Sequence, residues 1–172
     1  DRPHVLGAEE RNKPVDMKHM FIDVGAKDKA EVEAAGIEVG NMITPYSEFE
    51  TLLNEDYVTS KAFDNRFGCA LAVDVLDELK NEALDINLVA GANVQEEVGL
   101  RGAKVAAHKV KPDLAIAVDV GVAYDTPGLE SDGDVKIGQG PIVLTLDATN
   151  VGHVGLIRHV KKVAKAHNIE LQ

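Results

Sequence analysis

The chain has 172 residues, of which 45% are hydrophobic and 27% are charged, as is ordinary for a soluble globular protein and unlike a fibrous or disordered one. Lys and Arg total 18 against 29 Asp and Glu, and the formal net charge of -11 disfavours nucleic acids and anionic membranes as partners. No apolar run approaches the roughly 18 residues of a membrane span, and the single cysteine, Cys69, excludes an internal disulfide. The predicted compartment is therefore a reducing cytoplasm.

The first third of the chain predicts a small α+β unit. Residues 17–23 have the pattern of a strand, and a short helix is predicted over 27–35, which Gly36 can end in the left-handed conformation. Two further short strands are predicted over 37–43 and 49–59. A change of pattern near Ser60 marks the predicted boundary between two regions.

Beyond that boundary, helices and strands alternate. Apolar residues recur on one helical face over 65–81, and further helices are predicted over 100–108 and 150–167. Strands are predicted between and after them, over 86–92, 113–120, 141–146 and 169–171. This alternation indicates an α/β fold in which helices cover a sheet.

Four acidic residues lie where α/β enzymes place function, at or just beyond strand ends or before a helix: Asp64, Glu96, Glu97 and Asp119. A carboxylate at the end of a buried strand is unfavourable unless a cation or a reacting group compensates its charge. A two-metal hydrolase needs a bridging carboxylate, terminal ligands and a base that takes a proton from water. The four carboxylates are sufficient in number and type to share these tasks.

Three of these residues also have purely structural explanations. Asp64 precedes an apolar periodic segment and is a candidate helix N-cap. Glu97 is four residues before Arg101, a spacing that allows an ion pair, and Asp119 is a candidate turn residue before Gly121.

The carboxylates lie within three longer motifs: Lys-Ala-Phe-Asp-Asn-Arg at 61–66, Val-Gln-Glu-Glu-Val-Gly-Leu-Arg-Gly-Ala at 94–103, and Val-Asp-Val-Gly at 118–121 with Asp-Thr-Pro-Gly at 125–128. Supporting segments are Ile-Asp-Val-Gly-Ala at 22–26 and Gly-Gln-Gly-Pro at 138–141. In content and order, these segments resemble the M42 aminopeptidases, a family that includes glutamyl, deblocking and tetrahedral aminopeptidases.

The resemblance implies a zinc-peptidase-like mixed sheet flanked by helices. Residues 61–172 then correspond to part of the catalytic metallopeptidase domain, and residues 1–60 to part of a small β-rich dimerisation domain. It also implies that the complete protein is a homo-oligomer, from a dimer to a dodecamer.

Carried over by position, the family's site places Asp64 as a bridge between two divalent metal ions, with Glu97 bound to one ion and Asp119 to the other. Zinc or cobalt is implied, with manganese as a further option. Glu96 is then the general base that activates water, because it is left free of metal. The implied substrate is a peptide with a free N-terminus, from which the first residue is released.

The family's two histidine ligands have no match among the six histidines of this chain: His4, His19, His108, His153, His159 and His167. The Gly-Gly-Thr-Asp segment that follows in the family is also absent, and the chain does not begin with Met. We therefore expect the chain to be a fragment of a longer enzyme with little activity alone. The sequence leaves the preferred N-terminal residue and the native metal open.

A non-catalytic metal-binding or assembly fragment is the alternative to an enzyme. A glucanase is less favoured, because adjacent carboxylates seldom flank a glycosidic bond at the required separation of about 5–9.5 Å. The absence of Trp and an aromatic content of 4% are also poor for a sugar-binding cleft.

Overall fold

A computed structural model of the chain describes residues 6–172, residue 10 by its backbone alone. His4 and the rest of the first five residues lie outside the described part. The chain divides into two units, Asp1–Tyr46 and Ser47–Gln172. The predicted domains, 1–60 and 61–172, refer to the complete enzyme and stay a prediction.

Among residues 6–46, the first unit contains three short helical segments: α1 at Ala8–Arg11, a 3₁₀ turn at Met17–His19 and α2 at Lys29–Ala34. Asp28 caps α2, because its Oδ1 accepts a hydrogen bond from the backbone N–H of Glu31 at 3.0 Å. Glu31 Oε2 in turn accepts from the N–H of Lys27 at 2.7 Å, which fixes the approach to the helix. The helix predicted over 27–35 is confirmed.

Gly36 ends α2 as expected, with φ +77°. Its N–H donates to the carbonyl of Glu33 at 2.9 Å, and the N–H of Ile37 donates to the carbonyl of Val32 at 3.2 Å. A left-handed residue with these reversed hydrogen bonds is a common helix terminus. The strands predicted on either side are wrong, since residues 17–19 form the 3₁₀ turn and residues 20–23 and 37–43 form no strand.

The second unit begins with an antiparallel pair of short strands, β1 at Glu50–Thr51 and β2 at Val58–Thr59. Between them, the N–H of Leu52 donates to the carbonyl of Tyr57 at 2.8 Å, and the N–H of Tyr57 donates to the carbonyl of Asn54 at 3.0 Å. The single strand predicted over 49–59 is therefore a hairpin, because a polar turn interrupts it.

Three longer helices follow: α3 at Phe63–Leu79, α4 at Arg101–Val110 and α5 at Val154–Ala166. All three predicted helices are confirmed in type. The start of α5 is four residues later than predicted, and His153 caps it, with Nδ1 accepting from the N–H of Leu156 at 3.1 Å. Within residues 6–172, none of the helices has the length and apolar character that crossing a membrane requires.

A tight hairpin occupies the residues before α5. Leu146 and Val151 form an antiparallel bridge, and the N–H of Asp147 donates to the carbonyl of Asn150 at 3.0 Å. Oδ1 of Asp147 accepts from the N–H of Thr149 at 2.6 Å, from its hydroxyl at 2.9 Å and from the N–H of Asn150 at 2.8 Å. The hydrogen bonds from Thr149, followed by the one from Asn150, lower the pKa of Asp147 below its ordinary value of 3.8.

The strands predicted over 86–92, 113–120 and 169–171 are not formed as strands, and 141–146 contributes only the bridge at Leu146. Within the described part of the chain, β1 and β2 make the one sheet. The architecture is thus mixed α and β with a small antiparallel sheet, and the larger mixed sheet is not seen. Strands of a parallel or mixed sheet require hydrogen-bond partners from distant segments, and most of these runs have none here.

Gln172 forms hydrogen bonds with residues between 136 and 143. Its N–H donates to the carbonyl of Pro141 and its carbonyl accepts from Val143, both at 2.9 Å. Its side chain accepts from the N–H of Lys136 at 2.9 Å and donates to the carbonyls of Lys136 at 3.0 Å and Gly140 at 2.9 Å. Gly140 and Pro141 of the Gly-Gln-Gly-Pro motif, and Lys136 and Val143 on either side of it, are therefore held by one residue far along the chain.

Ala164, 6% exposed, is the only residue classed as buried in the described part of the chain. Large apolar side chains of α3 remain accessible, including Phe67 at 50% and Val73 at 65%. None of the predicted site residues is therefore fixed by full burial, and the hydrogen bonds of their segments are the specific contacts that the structure gives for them.

Candidate active site

Asp64 and Asn65 lie in an irregular start to α3. Ala62 has a left-handed backbone with φ 61°, and the dihedral angles of both Asp64 and Asn65 are non-helical. Oδ1 of Asn65 accepts a hydrogen bond from the N–H of Gly68 at 2.7 Å, the contact by which an N-cap residue satisfies the first helical turn. Asn65 makes the capping contact that was considered for Asp64, which leaves the Asp64 carboxylate available for another role.

The other end of the Asn65 amide reaches a distant segment. Nδ2 donates to the carbonyl of Val118 at 2.6 Å, across 53 residues of sequence. Val118 directly precedes Asp119, so the hydrogen bond joins the neighbours of two predicted metal ligands. Oδ1 of Asp119 accepts from the N–H of Val120 at 2.8 Å, a local contact that also fits the turn role considered for it.

Glu96 and Glu97 lie in a turn that is closed by its own backbone. The carbonyl of Glu96 accepts from the N–H groups of Gly99 at 3.0 Å and Leu100 at 2.9 Å. Two further hydrogen bonds enclose these: the carbonyl of residue 95 accepts from the N–H of residue 101 at 3.1 Å, and the carbonyl of residue 94 accepts from the N–H of residue 102 at 3.0 Å. The turn leads directly into α4, as predicted, although the strand predicted over 86–92 before it is not formed.

Three residues of this turn have positive φ: Gln95 at 58°, Gly99 at 114° and Leu100 at 56°. A left-handed conformation is unfavourable for Gln and Leu, and such residues occur most often where the surrounding structure imposes them. The ion pair considered between Glu97 and Arg101 is not among those that the described residues form. The Glu97 side chain therefore has no such pairing that would conflict with metal binding.

The four carboxylates are not gathered into one cluster. Among residues 6–172, no group of three or more His, Cys, Asp or Glu side chains is arranged to hold a metal ion. The structure joins the segments that carry Asp64 and Asp119, and it presents Glu96 and Glu97 on a separate turn. The roles assigned to these four residues stay predictions.

Two residues with long-range contacts have no role in the sequence predictions: Asn65, which links the Asp64 and Asp119 segments, and Gln172, which holds residues 136–143. Asn65 lies within the 61–66 motif, and its position directly after a predicted metal ligand could have indicated that it helps to orient that ligand. Gln172 offered no such signal, because its contacts with Lys136 and Gly140 depend on how the chain folds.

A model of the M42 glutamyl aminopeptidase family matches residues 1–172. The chain belongs to this family. The resemblance inferred from the three motifs is thereby confirmed.

Among M42-related proteins, FrvX of Escherichia coli (strain K12) is 39% identical over 171 residues, which cover 99% of this chain and 47% of FrvX. The glutamyl aminopeptidase of Lactococcus lactis subsp. cremoris (strain MG1363) is 39% identical over 155 residues, 90% of this chain and 42% of that enzyme. The chain thus spans about half the length of the curated relatives it matches.

Solved structures agree with this family assignment. The TET aminopeptidase from the marine sediment archaeon Thaumarchaeota archaeon SCGC AB-539-E09 superposes with a TM-score of 0.89 at 40% identity, covering 99% of this chain and 48% of that one. PhTET1-12s, a dodecamer, superposes with a TM-score of 0.65 at 31% identity, covering 87% of this chain and 44% of its own.

Proposed function

We propose that the protein is a metal-dependent aminopeptidase in which Asp64, Glu97 and Asp119 bind divalent ions and Glu96 transfers a proton. The observation that carries the proposal is the hydrogen bond from Asn65 to Val118, which places the segments of Asp64 and Asp119 side by side. Membership of an aminopeptidase family supplies the reaction class.

The donor set fits a divalent cation by its chemistry. Carboxylates are hard oxygen ligands that suit zinc, cobalt or manganese when other donors complete the coordination. Asp64, Glu97 and Asp119 would hold two ions, with Asp64 shared between them. When bound, the ions polarise the carbonyl group of the scissile peptide bond and lower the pKa of water.

Glu96 differs from its neighbour in the proposed task. A general base must be free to accept a proton from water and return it to the leaving amine, so it cannot also serve as a metal ligand. The turn that carries both residues is fixed by backbone hydrogen bonds from Gly99 and Leu100 to the Glu96 carbonyl. Those bonds fix the backbone of Glu96 and leave its carboxylate unused.

The proposed substrate is a peptide with a free N-terminus, and the proposed assembly is a homo-oligomer. Membership of an aminopeptidase family supports the substrate, and the dodecameric state of PhTET1-12s supports the assembly. A cytoplasmic location belongs to the same proposal and follows from the absence of cysteine pairs.

Glu96→Gln tests the proposal. In a protein extended to the full length of the relatives, loss of a general base should lower kcat by about 10²- to 10⁴-fold while the number of bound metal ions stays unchanged. Glu97→Gln should instead reduce bound metal. Hydrolysis is measured on matched peptides with free and acetylated N-termini, and metal by elemental analysis of the dialysed protein.

Glu82→Gln is the matched control, because Glu82 is exposed just beyond α3 and should have no effect on either measurement. Hydrolysis that proceeds unchanged in Glu96→Gln would contradict the assigned role. Equal cleavage of free and acetylated peptides would contradict the aminopeptidase assignment.

A non-catalytic metal-binding or assembly module is the second candidate. It is kept as a candidate because no three potential ligands are grouped among residues 6–172, which counts against a complete catalytic centre. It predicts that metal raises the unfolding temperature of the protein with no peptide hydrolysis, and that Glu96→Gln changes nothing.

A further inference from the structure

The Asn65 side chain makes two contacts of opposite kind. Its Oδ1 accepts from Gly68 at 2.7 Å and its Nδ2 donates to Val118 at 2.6 Å. The amide of Asn has an acceptor and a donor on two separate atoms at its end, so one side chain can make both contacts. The first contact is local to α3, and the second connects α3 to the Val118 segment.

Gly68 provides the space that this arrangement needs. A Cβ atom at residue 68 would lie 2.6 Å from Oδ1, 2.9 Å from Nδ2 and 3.1 Å from Cγ of Asn65. Real Cβ atoms essentially never come so close, so any side chain at residue 68 would displace the amide. Gly68 thus both donates to the Asn65 side chain and leaves the space that this orientation of the amide requires.

The segments joined in this way are the ones that carry two predicted ligands. Asn65 follows Asp64 directly, and Val118 precedes Asp119 directly, so one peptide unit separates each partner of the hydrogen bond from a carboxylate-bearing residue. The hydrogen bond holds the Val118 carbonyl against the Asn65 side chain, and through these two residues it links the backbones that carry Asp64 and Asp119.

We propose that Asn65 is a positioning residue, which sets the separation of the Asp64 and Asp119 carboxylates before metal binds and so sets the affinity for the ions. This inference rests on the proposed metal-dependent function. Groups that orient metal ligands typically change affinity by about 10- to 100-fold when they are removed.

Asn65→Ser is the decisive variant. Serine is a good N-cap and can still accept from Gly68, but it is too short to reach the Val118 carbonyl and adds no charge. We expect Co²⁺ affinity, measured by calorimetry on the metal-free protein, to fall about 10- to 100-fold with helix content unchanged. Amide hydrogen exchange over residues 118–120 should become faster in the metal-free variant.

Gly68→Ala is an independent second variant. Alanine is the better helix former, so the change favours α3 while displacing the Asn65 amide. Weaker Co²⁺ binding with undiminished helix content is therefore expected. Asn81→Ser, at an exposed asparagine just beyond α3, is the matched control and should bind Co²⁺ as the unmodified protein does.

The outcomes separate the two proposals. Normal Co²⁺ binding and normal exchange over 118–120 in Asn65→Ser would overturn the positioning role and leave the metal-dependent function standing. Absence of Co²⁺, Zn²⁺ and Mn²⁺ binding by the unmodified protein would overturn both.

Discussion

The turn that carries Glu96 and Glu97 and the junction between Asn65 and Val118 are held by contrasting kinds of contact. Four backbone hydrogen bonds close the turn, all between residues 94 and 102. The junction depends on one side chain that spans 53 residues of sequence. The comparison teaches that one part of the predicted site can form from its own short segment, whereas the other requires two distant segments to meet first.

Among the changes that test this contrast, we expect Gly102→Val to cause the largest loss of folding stability. A Cβ atom at residue 102 would collide with the backbone carbonyl of Val94 and lie 2.6 Å from its nitrogen, so the turn would have to open. Overpacking of this kind costs about 1–3 kcal/mol, and we expect the upper end because both atoms struck are backbone.

Chemical denaturation measures this cost, and Gly91→Val is the matched control because a Cβ atom there meets nothing within 4 Å. An equal loss in both variants would show that the backbone closure around Glu96 does not depend on Gly102.

A double variant tests whether the two regions are independent. Asn65→Ser should cost about 1 kcal/mol, the ordinary value of a lost hydrogen bond. If the turn and the junction form separately, Asn65→Ser and Gly102→Val together should cost the sum of the single losses within about 0.5 kcal/mol. A coupling above 1 kcal/mol in the denaturation free energies would show that the local turn also depends on the long-range contact.

The smallest expected effect concerns a second locally closed turn, at Asp147. Hydrogen bonds from Thr149 and Asn150 hold its pKa below 3.8, so the ionised form favours the folded turn. The contribution is complete above that pH and is lost as the pH falls through the lowered pKa of the folded state. The amide resonances of Thr149 and Asn150 should report this loss in an acid titration.

Asp147→Asn keeps an acceptor oxygen and removes the titrating group, so its turn should change little with pH over the same range. The same acid-induced change in both proteins would assign the effect to another group.

The helices were predictable because their signals are local. Gly36 marks the end of α2 and apolar spacing predicts α3, although the sequence alone does not show that Asp28 caps α2 or that Asn65 rather than Asp64 makes the capping contact in α3. The turn at Glu96 was placed correctly before α4 for the same reason.

The strands and the junction were not predictable in this way. A run such as 86–92 has strand character, but forming a strand requires a partner that sequence spacing does not identify. The contact from Asn65 to Val118 has the same origin, since only the folded chain brings those residues together. The sequence therefore identified candidate ligands but not the side chain that relates two of them.

Gln172 carries a consequence for the order in which the protein is made. The backbone N–H and carbonyl of Lys136 form hydrogen bonds with the side chain of Gln172, which is synthesised 36 residues later. At about 5–20 residues per second, a ribosome needs roughly 2 to 7 s to add those residues. During that interval, the nascent Gly-Gln-Gly-Pro segment is without this partner, so its contact with Gln172 cannot form until after both residues of the Asn65–Val118 junction have been synthesised.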